Sequence, residues 1–275
     1  LNSYQHDINV MRVWTGRMAQ VQNNISNYPS LTHYQDAMEQ AVRGASPGMR
    51  QAARTTAEAQ WRTANAQTHL SEADSAIQHG LQNVDEANTS LDSTSESLRS
   101  AENHAWQANR ALAQGDTGSA RQRAESIRTN LSGVDSEIAF ARENLAAAMQ
   151  LSGEADTHLT SATSELGRAD EARLSVASGT YGRRFQGSLA KLQADILRLE
   201  SHKDQLQEQL GLLDGYIEAA SNRRGALTTG VREIRTAAGD VLTEAQTIET
   251  RQAEEAYAGA LEEMIRNDVL VLNES

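Results

Sequence analysis

The fold is decided by residues 98–134, which read LRSAENHAWQANRALAQGDTGSARQRAESIRTNLSGV. The tetrapeptide Gly115-Asp116-Thr117-Gly118 has the composition of a tight turn, and apolar residues on both sides of it recur at spacings of three and four. The two sides mirror each other, because a large residue on one side matches a small residue on the other. The first such pairs are Leu112/Ala120, Ala105/Ile127 and Ala101/Leu131. This pattern predicts two antiparallel helices joined at Gly115.

The mirror extends over residues 63–169. The further pairs of a bulky and a small residue are Thr94/Ile138, Leu91/Ala141, Ala87/Leu145, Val84/Ala148, Ile77/Ala155, Ala73/Leu159, Leu70/Ala162 and Ala66/Leu166. Leu98/Val134 joins two large residues, and Ala108/Ala124 and Gly80/Ser152 are small on both sides. Small residues opposite large ones allow helix axes to approach toward about 8 Å. We therefore expect the second arm to continue as one helix from near Ser119 to Val176.

A third arm follows the Gly-rich segment 178–182. Its apolar heptads run from Leu189 to Ile248, and a chain reversal at 178–182 brings them into register with the second arm. In this register Leu210 fills the thin layer at Gly80/Ser152. The sequence thus predicts an all-α protein, an elongated antiparallel three-helix coiled-coil rod with short extra helices at the N-terminus. The expected divisions are N-terminal short helices (1–46), the rod (47–250) and a C-terminal helical tail (251–275).

Composition argues against several partner classes. The formal net charge is −12, and Lys191 and Lys203 are the only lysines. Nucleic acids and anionic membranes attract concentrated basic faces, so we expect no nucleic acid partner. No stretch approaches the about 20 apolar residues of a membrane-spanning helix, so no span is expected within the chain. Residues 1–25 lack a signal-peptide pattern, but a leader could precede Leu1, and an extracellular or surface location is favoured.

Few residues in the sequence suggest chemistry. There is no cysteine, no phosphate-binding glycine loop and no nucleophile elbow, and the carboxylates are spread along helix exteriors. Among the seven histidines, the predicted register places His69 and His202 at similar heights, with His158 not far away. Such a cluster fits a pH-sensitive or metal-binding site, but we favour three separate solvated side chains. The sequence therefore predicts no catalytic residue, no metal ligand and no cofactor, and the protein is expected not to be an enzyme.

The tripeptide Trp14-Thr15-Gly16 resembles the Trp-x-Gly turn of the small helical-hairpin substrates of type VII secretion, which implies an exported protein. The chain departs from that family because a preceding helix is missing, and Leu261 stands where the export signal after Tyr257 would have an acid. The predicted architecture is also similar to spectrin repeats and BAR domains. A membrane-bending BAR domain would carry lysine-rich faces, which this sequence lacks.

The distinctive aromatic and apolar residues lie outside the predicted rod. We expect protein partners, or other copies of the chain, to bind at its ends. The predicted interaction residues are Trp14, Tyr28, Tyr34, Tyr257, Leu270 and Leu272. The leading hypothesis is a non-enzymatic spacer or scaffold in a larger assembly or at a surface. The alternatives are a secreted helical effector or toxin component, either type VII-like or an α-helical pore-former, and a membrane-linked sensory helical bundle.

Overall fold

The computed structural model describes the backbone of residues 2–273 and the side chains of residues 10–266. It confirms the all-α class, since residues 2–273 contain helices and no strand. The α-helices are α1 (Asn2–Asn23), α2 (Leu31–Ala41), α3 (Pro47–Ala113), α4 (Thr117–Asn130), α5 (Val134–Ser178) and α6 (Gln186–Asn273), and short 3-10 helices span Ile25–Asn27 and Gly182–Arg184. None of the described helices has a segment apolar enough over sufficient length to cross a membrane.

The turn between α3 and α4 lies where the sequence predicts it. Gly115 has a φ of +73°, a left-handed conformation that glycine adopts without steric cost. Asp116 caps α4, because its Oδ1 accepts a hydrogen bond from the backbone N–H of Ser119 at 2.9 Å. Hydrogen bonds from the side chain and then the backbone of Ser119 lower the pKa of Asp116 below its ordinary value.

The second arm is not one helix, contrary to the sequence prediction. It is broken at residues 131–133, between α4 and α5. Ser132 donates its hydroxyl to the carbonyl of Thr129 at 2.8 Å, and Gly133 adds a residue of low helix propensity. The apolar pattern continues across the break, since Leu131 and Val134 are each only 1% exposed. Heptad periodicity therefore predicted the buried residues correctly but not the interruption of the backbone.

The chain divides into two units, each built from segments distant in sequence. Unit 1 comprises residues 1–81 and 149–215, and unit 2 comprises residues 82–148 and 216–275. The predicted divisions at 46/47 and 250/251 follow composition along the chain, whereas these units follow spatial contacts. An antiparallel return brings remote segments together, so a unit need not be continuous in sequence.

In unit 1, segments of α3, α5 and α6 share a core. The predicted pairs Ile77/Ala155, Ala73/Leu159, Leu70/Ala162 and Ala66/Leu166 are all buried. Arg62 of α3 also binds both carboxylate oxygens of Glu165 of α5 at 3.1 Å. At one end, Phe185 and Leu189 pack with Val42, Met49 and Val176.

Gly80 marks a close approach of α6 to α3 within unit 1. A Cβ added at Gly80 would lie 2.7 Å from Cδ2 of Leu213. The sequence prediction placed Leu210 at this layer, so the facing residue is different. Helical side chains lean toward the N-terminus of their own helix. Because α6 runs in the same direction as α3 here, with Leu192 beside Ala59 and Leu213 beside Gly80, Leu213 reaches back over the glycine.

In unit 2, segments of α3, α4 and α6 share a core, joined by the start of α5. Leu98, Ile127 and Val231 belong to one buried cluster, and Leu112, Ala120 and Val241 belong to another. A Cβ added at Gly230 would lie 2.9 Å from Cδ2 of Leu98, so α3 and α6 approach closely in this unit as well. The predicted alternation of large and small residues therefore coincides with burial in this unit as well.

Candidate functional site

Three predicted interaction residues pack inside unit 1. Tyr34 is fully buried, its hydroxyl donates to Oε1 of Gln60 at 2.6 Å, and its ring lies 5.3 Å from that of Tyr28. Burial, and then the neighbouring Tyr28, raise the pKa of Tyr34 above its ordinary value. Trp14 and Tyr28 are half-buried against the apolar clusters of this unit. These three residues contribute to packing, and Tyr34 exposes no surface to a partner.

The Trp14-Thr15-Gly16 tripeptide forms no turn. It lies within α1, which is continuous from Asn2 to Asn23. The turn that the type VII resemblance implies is therefore absent, whereas the apolar spacing of Met11, Trp14 and Met18 predicts the helix that is observed. Trp14 instead belongs to the apolar stripe of an uninterrupted helix.

The predicted residue Tyr257 lies in an entirely exposed part of α6. Every residue from 251 to 266 is exposed, including large apolar side chains: Tyr257 (72%), Leu261 (44%), Met264 (63%) and Ile265 (57%). The other two predicted residues, Leu270 and Leu272, lie outside the described side chains. The exposed apolar surface of α6 is thus formed by Tyr257, Leu261, Met264 and Ile265, which we call the α6 outer face.

The core seam of α6 stops because its heptad positions become polar. Val241 and Ala245 are buried and Ile248 is half-buried. Continuing the same heptads leads to four residues with no apolar side chain, namely Gln252, Glu255, Gly259 and Glu262. These residues cannot extend an apolar core.

The α6 outer face points away from that seam. Tyr257 follows Ile248 by nine residues, which is about 180° around a helix of 3.6 residues per turn. Leu261 and Met264 follow Tyr257 at spacings of four and seven, so they lie on the same side of the helix. A face in this orientation does not continue the core seam and is available to another molecule.

A second group of functional interest lies between α3 and α5 in unit 1. Oε2 of Glu72 is 3.2 Å from Nδ1 of His69 and 3.0 Å from Nδ1 of His158. The imidazole rings have centroids 5.8 Å apart. Each of the three residues offers one ligand atom, and these three atoms all lie within 4.8 Å of one another. Each side chain remains partly open to solvent, at 32% for each histidine and 47% for Glu72.

The sequence prediction differs from the structure at this position. It grouped His69 with His202 and treated His158 as more distant, whereas His202 is exposed and lies outside the group. The missed residue is Glu72. The signal was available, because Glu72 and His158 each precede one member of the predicted pair Ala73/Leu159. That register places Glu72 and His158 at the same height on neighbouring helices.

Two grooves lie in unit 1, and they differ in the side chains that line them. One groove of about 490 Å³ is lined by Arg173, Arg183 and glutamines, without a carboxylate, an imidazole or a hydroxyl. A smaller groove of about 190 Å³ contains a single carboxylate, Asp195, which pairs with Arg198 at 3.7 Å.

Comparison with known proteins returned no relative. No family model, no curated protein and no solved structure matches this chain. The α6 outer face and the group formed by His69, Glu72 and His158 are the two candidate functional features of the described residues.

Proposed function

We propose that this protein is a non-enzymatic interaction scaffold that binds a partner protein through the α6 outer face. The observation that carries the proposal is the contrast along α6. The helix buries its heptad residues up to Val241 and Ala245, and then presents large apolar residues on the opposite side. Soluble proteins seldom expose contiguous apolar surface without a binding role. A helix face of this spacing fits an apolar groove or another helix.

The surrounding charges favour a basic partner. Glutamates 254, 255, 262 and 263 flank the apolar residues, against Arg251 and Arg266. In a dimer formed through this face, the glutamates of one copy would lie against the same glutamates of the other copy. Like charges at an interface disfavour association. A partner with an apolar stripe flanked by lysine or arginine complements both features. We therefore favour a different protein over self-assembly.

The helical core would anchor α6, and the α6 outer face would extend beyond the last buried heptad residues. As part of the proposal, the three long arms form the elongated antiparallel coiled-coil rod that the heptads predict. The buried pairs of large and small residues within each unit support this arrangement. Small-angle X-ray scattering tests it, since a rod gives a radius of gyration well above the about 19 Å expected for a compact chain of this length. A compact value would contradict the rod.

The binding proposal is tested with two synthetic helical peptides. Both carry the same leucine stripe, flanked by lysine in one and by glutamate in the other, and fluorescence anisotropy measures binding to the full chain. We expect tighter binding of the lysine peptide, weakening as salt screens the charges. The double variant Leu261→Ser/Met264→Ser should lower this affinity at least tenfold.

The matched control is Leu174→Ser/Leu197→Ser, which alters two exposed leucines of unit 1. It should leave the affinity unchanged. Equal binding of both peptides, or equal weakening by both double variants, would refute the proposed face. Light scattering after size-exclusion chromatography supplies a further test. A dimer that Leu261→Ser/Met264→Ser dissociates would identify a second copy of the chain as the occupant and overturn the choice of a different protein.

A further inference from the structure

We propose that His69, Glu72 and His158 bind a divalent transition-metal ion of the Zn²⁺ type between α3 and α5. Two imidazoles and one carboxylate are a ligand set that zinc accepts, leaving a fourth position for water or another ligand. The three residues come from two helices, so the site exists only when those helices pack. The proposal is independent of the α6 outer face.

The distances suit tetrahedral coordination. Zinc bonds of about 2.0–2.2 Å place neighbouring ligand atoms about 3.3 Å apart. The two distances from Oε2 of Glu72 to the imidazole Nδ1 atoms are 3.2 Å and 3.0 Å. The ligand atoms of the two imidazoles lie no more than 4.8 Å apart. They therefore need to approach each other by at most about 1.5 Å to reach the tetrahedral separation of about 3.3 Å. Partly exposed side chains can make that movement by rotation.

The electrostatic setting also favours a cation. The Nδ1 atoms of both imidazoles face the same carboxylate oxygen, so a cation between them would lie close to all three ligand atoms. Among the described side chains, the ion-pair partners of Glu72 are His69 and His158, with no arginine or lysine competing for the carboxylate. A metal ion would neutralise Glu72 and connect α3 to α5 at one point.

Hard cations should bind this site poorly. Magnesium prefers six oxygen ligands and retains water, whereas imidazole nitrogen suits zinc, copper, nickel and iron. This difference gives the experiment an internal comparison. Zn²⁺ should bind and Mg²⁺ should not, at the same concentration and ionic strength.

The experiment uses the full chain after treatment with a chelator, with ZnCl₂ alone as the probe. Isothermal titration calorimetry should show one Zn²⁺ per chain. Thermal denaturation followed by circular dichroism should show a Tm increase on the order of 5 °C when free Zn²⁺ exceeds Kd about a hundredfold. MgCl₂ should leave the Tm unchanged.

The variants His158→Gln and Glu72→Gln should each lower Zn²⁺ affinity at least tenfold. Both positions are partly exposed, and the circular dichroism spectrum without metal shows whether each variant keeps its helices. The matched control is His79→Gln, which removes an exposed histidine of α3 and should bind Zn²⁺ as the unaltered chain does. The proposal is overturned if the unaltered chain shows no Zn²⁺-dependent rise in Tm, or if folded His158→Gln and Glu72→Gln both bind as His79→Gln does.

Discussion

Replacing Gly80 with alanine tests the close approach of α6 to α3 in unit 1. Gly80 lies inside α3, where a Cβ would meet Cδ2 of Leu213 at 2.7 Å and Cδ1 at 3.3 Å. Leu213 is itself fully buried, so its side chain has little room to move away. Gly153 in α5 and Gly211 in α6 provide matched controls, because a Cβ added at either position meets no atom within 4 Å.

Two effects of opposite sign decide the size of the change. Alanine in a helix interior is favoured over glycine by about 1 kcal/mol. Overpacking a closely packed core costs about 1–3 kcal/mol. We therefore expect Gly153→Ala and Gly211→Ala to raise the free energy of unfolding by up to about 1 kcal/mol. Gly80→Ala should leave it unchanged or lower it by about 2 kcal/mol, the difference between the two effects.

The assay is urea unfolding followed by circular dichroism at the helical band. All three glycines belong to unit 1, so their variants report on the same unit. A double-mutant cycle with Leu213→Ala identifies the cause, because removing the leucine should make Gly80→Ala favourable again. If Gly80→Ala stabilises the chain as much as Gly153→Ala does, the inferred contact between α3 and α6 is refuted.

Three further predictions concern the core and one helix cap. Leu159→Ala should lower the free energy of unfolding by about 2–5 kcal/mol. Leu174→Ala, at a half-exposed position of the same helix, should change it by about 0.5 kcal/mol or less. Similar losses for the two variants in urea unfolding would contradict the predicted seam. Tyr34→Phe should cost about 1–3 kcal/mol by leaving Oε1 of buried Gln60 without its donor, and an unchanged Tm would show that this hydrogen bond contributes little. The lowered pKa of Asp116 means that its cap stabilises the fold above the unfolded pKa of about 4 and loses this effect as the pH falls through the folded value. Between pH 7 and pH 3, the free energy of unfolding should fall more for the unaltered chain than for Asp116→Asn. Equal decreases would disprove the assignment of Asp116 as the cap of α4.

Burial in this fold was predictable from residue volume. The pairing of leucine or isoleucine with alanine, as in Ala73/Leu159, requires only the helical period and an antiparallel turn. The helical period is visible in the spacing of the apolar residues, and the turn is visible because Gly115 permits the chain to reverse. The break at residues 131–133 was not predictable in this way, because Leu131 and Val134 keep the apolar spacing while the backbone between them leaves the helix.

The candidate sites were harder to predict because they depend on side chains beside the core rather than within it. Glu72 and His158 are adjacent to a predicted layer, yet only the rotation of the two helices brings their polar atoms together. Tyr257 was predicted as an interaction residue from its chemistry. Trp14 and Tyr34 share that chemistry but pack within unit 1, because aromatic side chains serve cores and interfaces equally well.

Hydrogen–deuterium exchange along α6 tests the central claim most directly. Backbone amides in a packed helix exchange slowly, whereas those of an unsupported helix exchange quickly. In the chain alone, we predict protection from about Leu189 to Ile248 and rapid exchange over residues 251–266, with protection appearing in that segment when the lysine-flanked peptide is added. Protection of residues 251–266 in the dilute chain alone would contradict the claim that the α6 outer face is free. Continued rapid exchange with saturating peptide would contradict the claim that this face binds a partner.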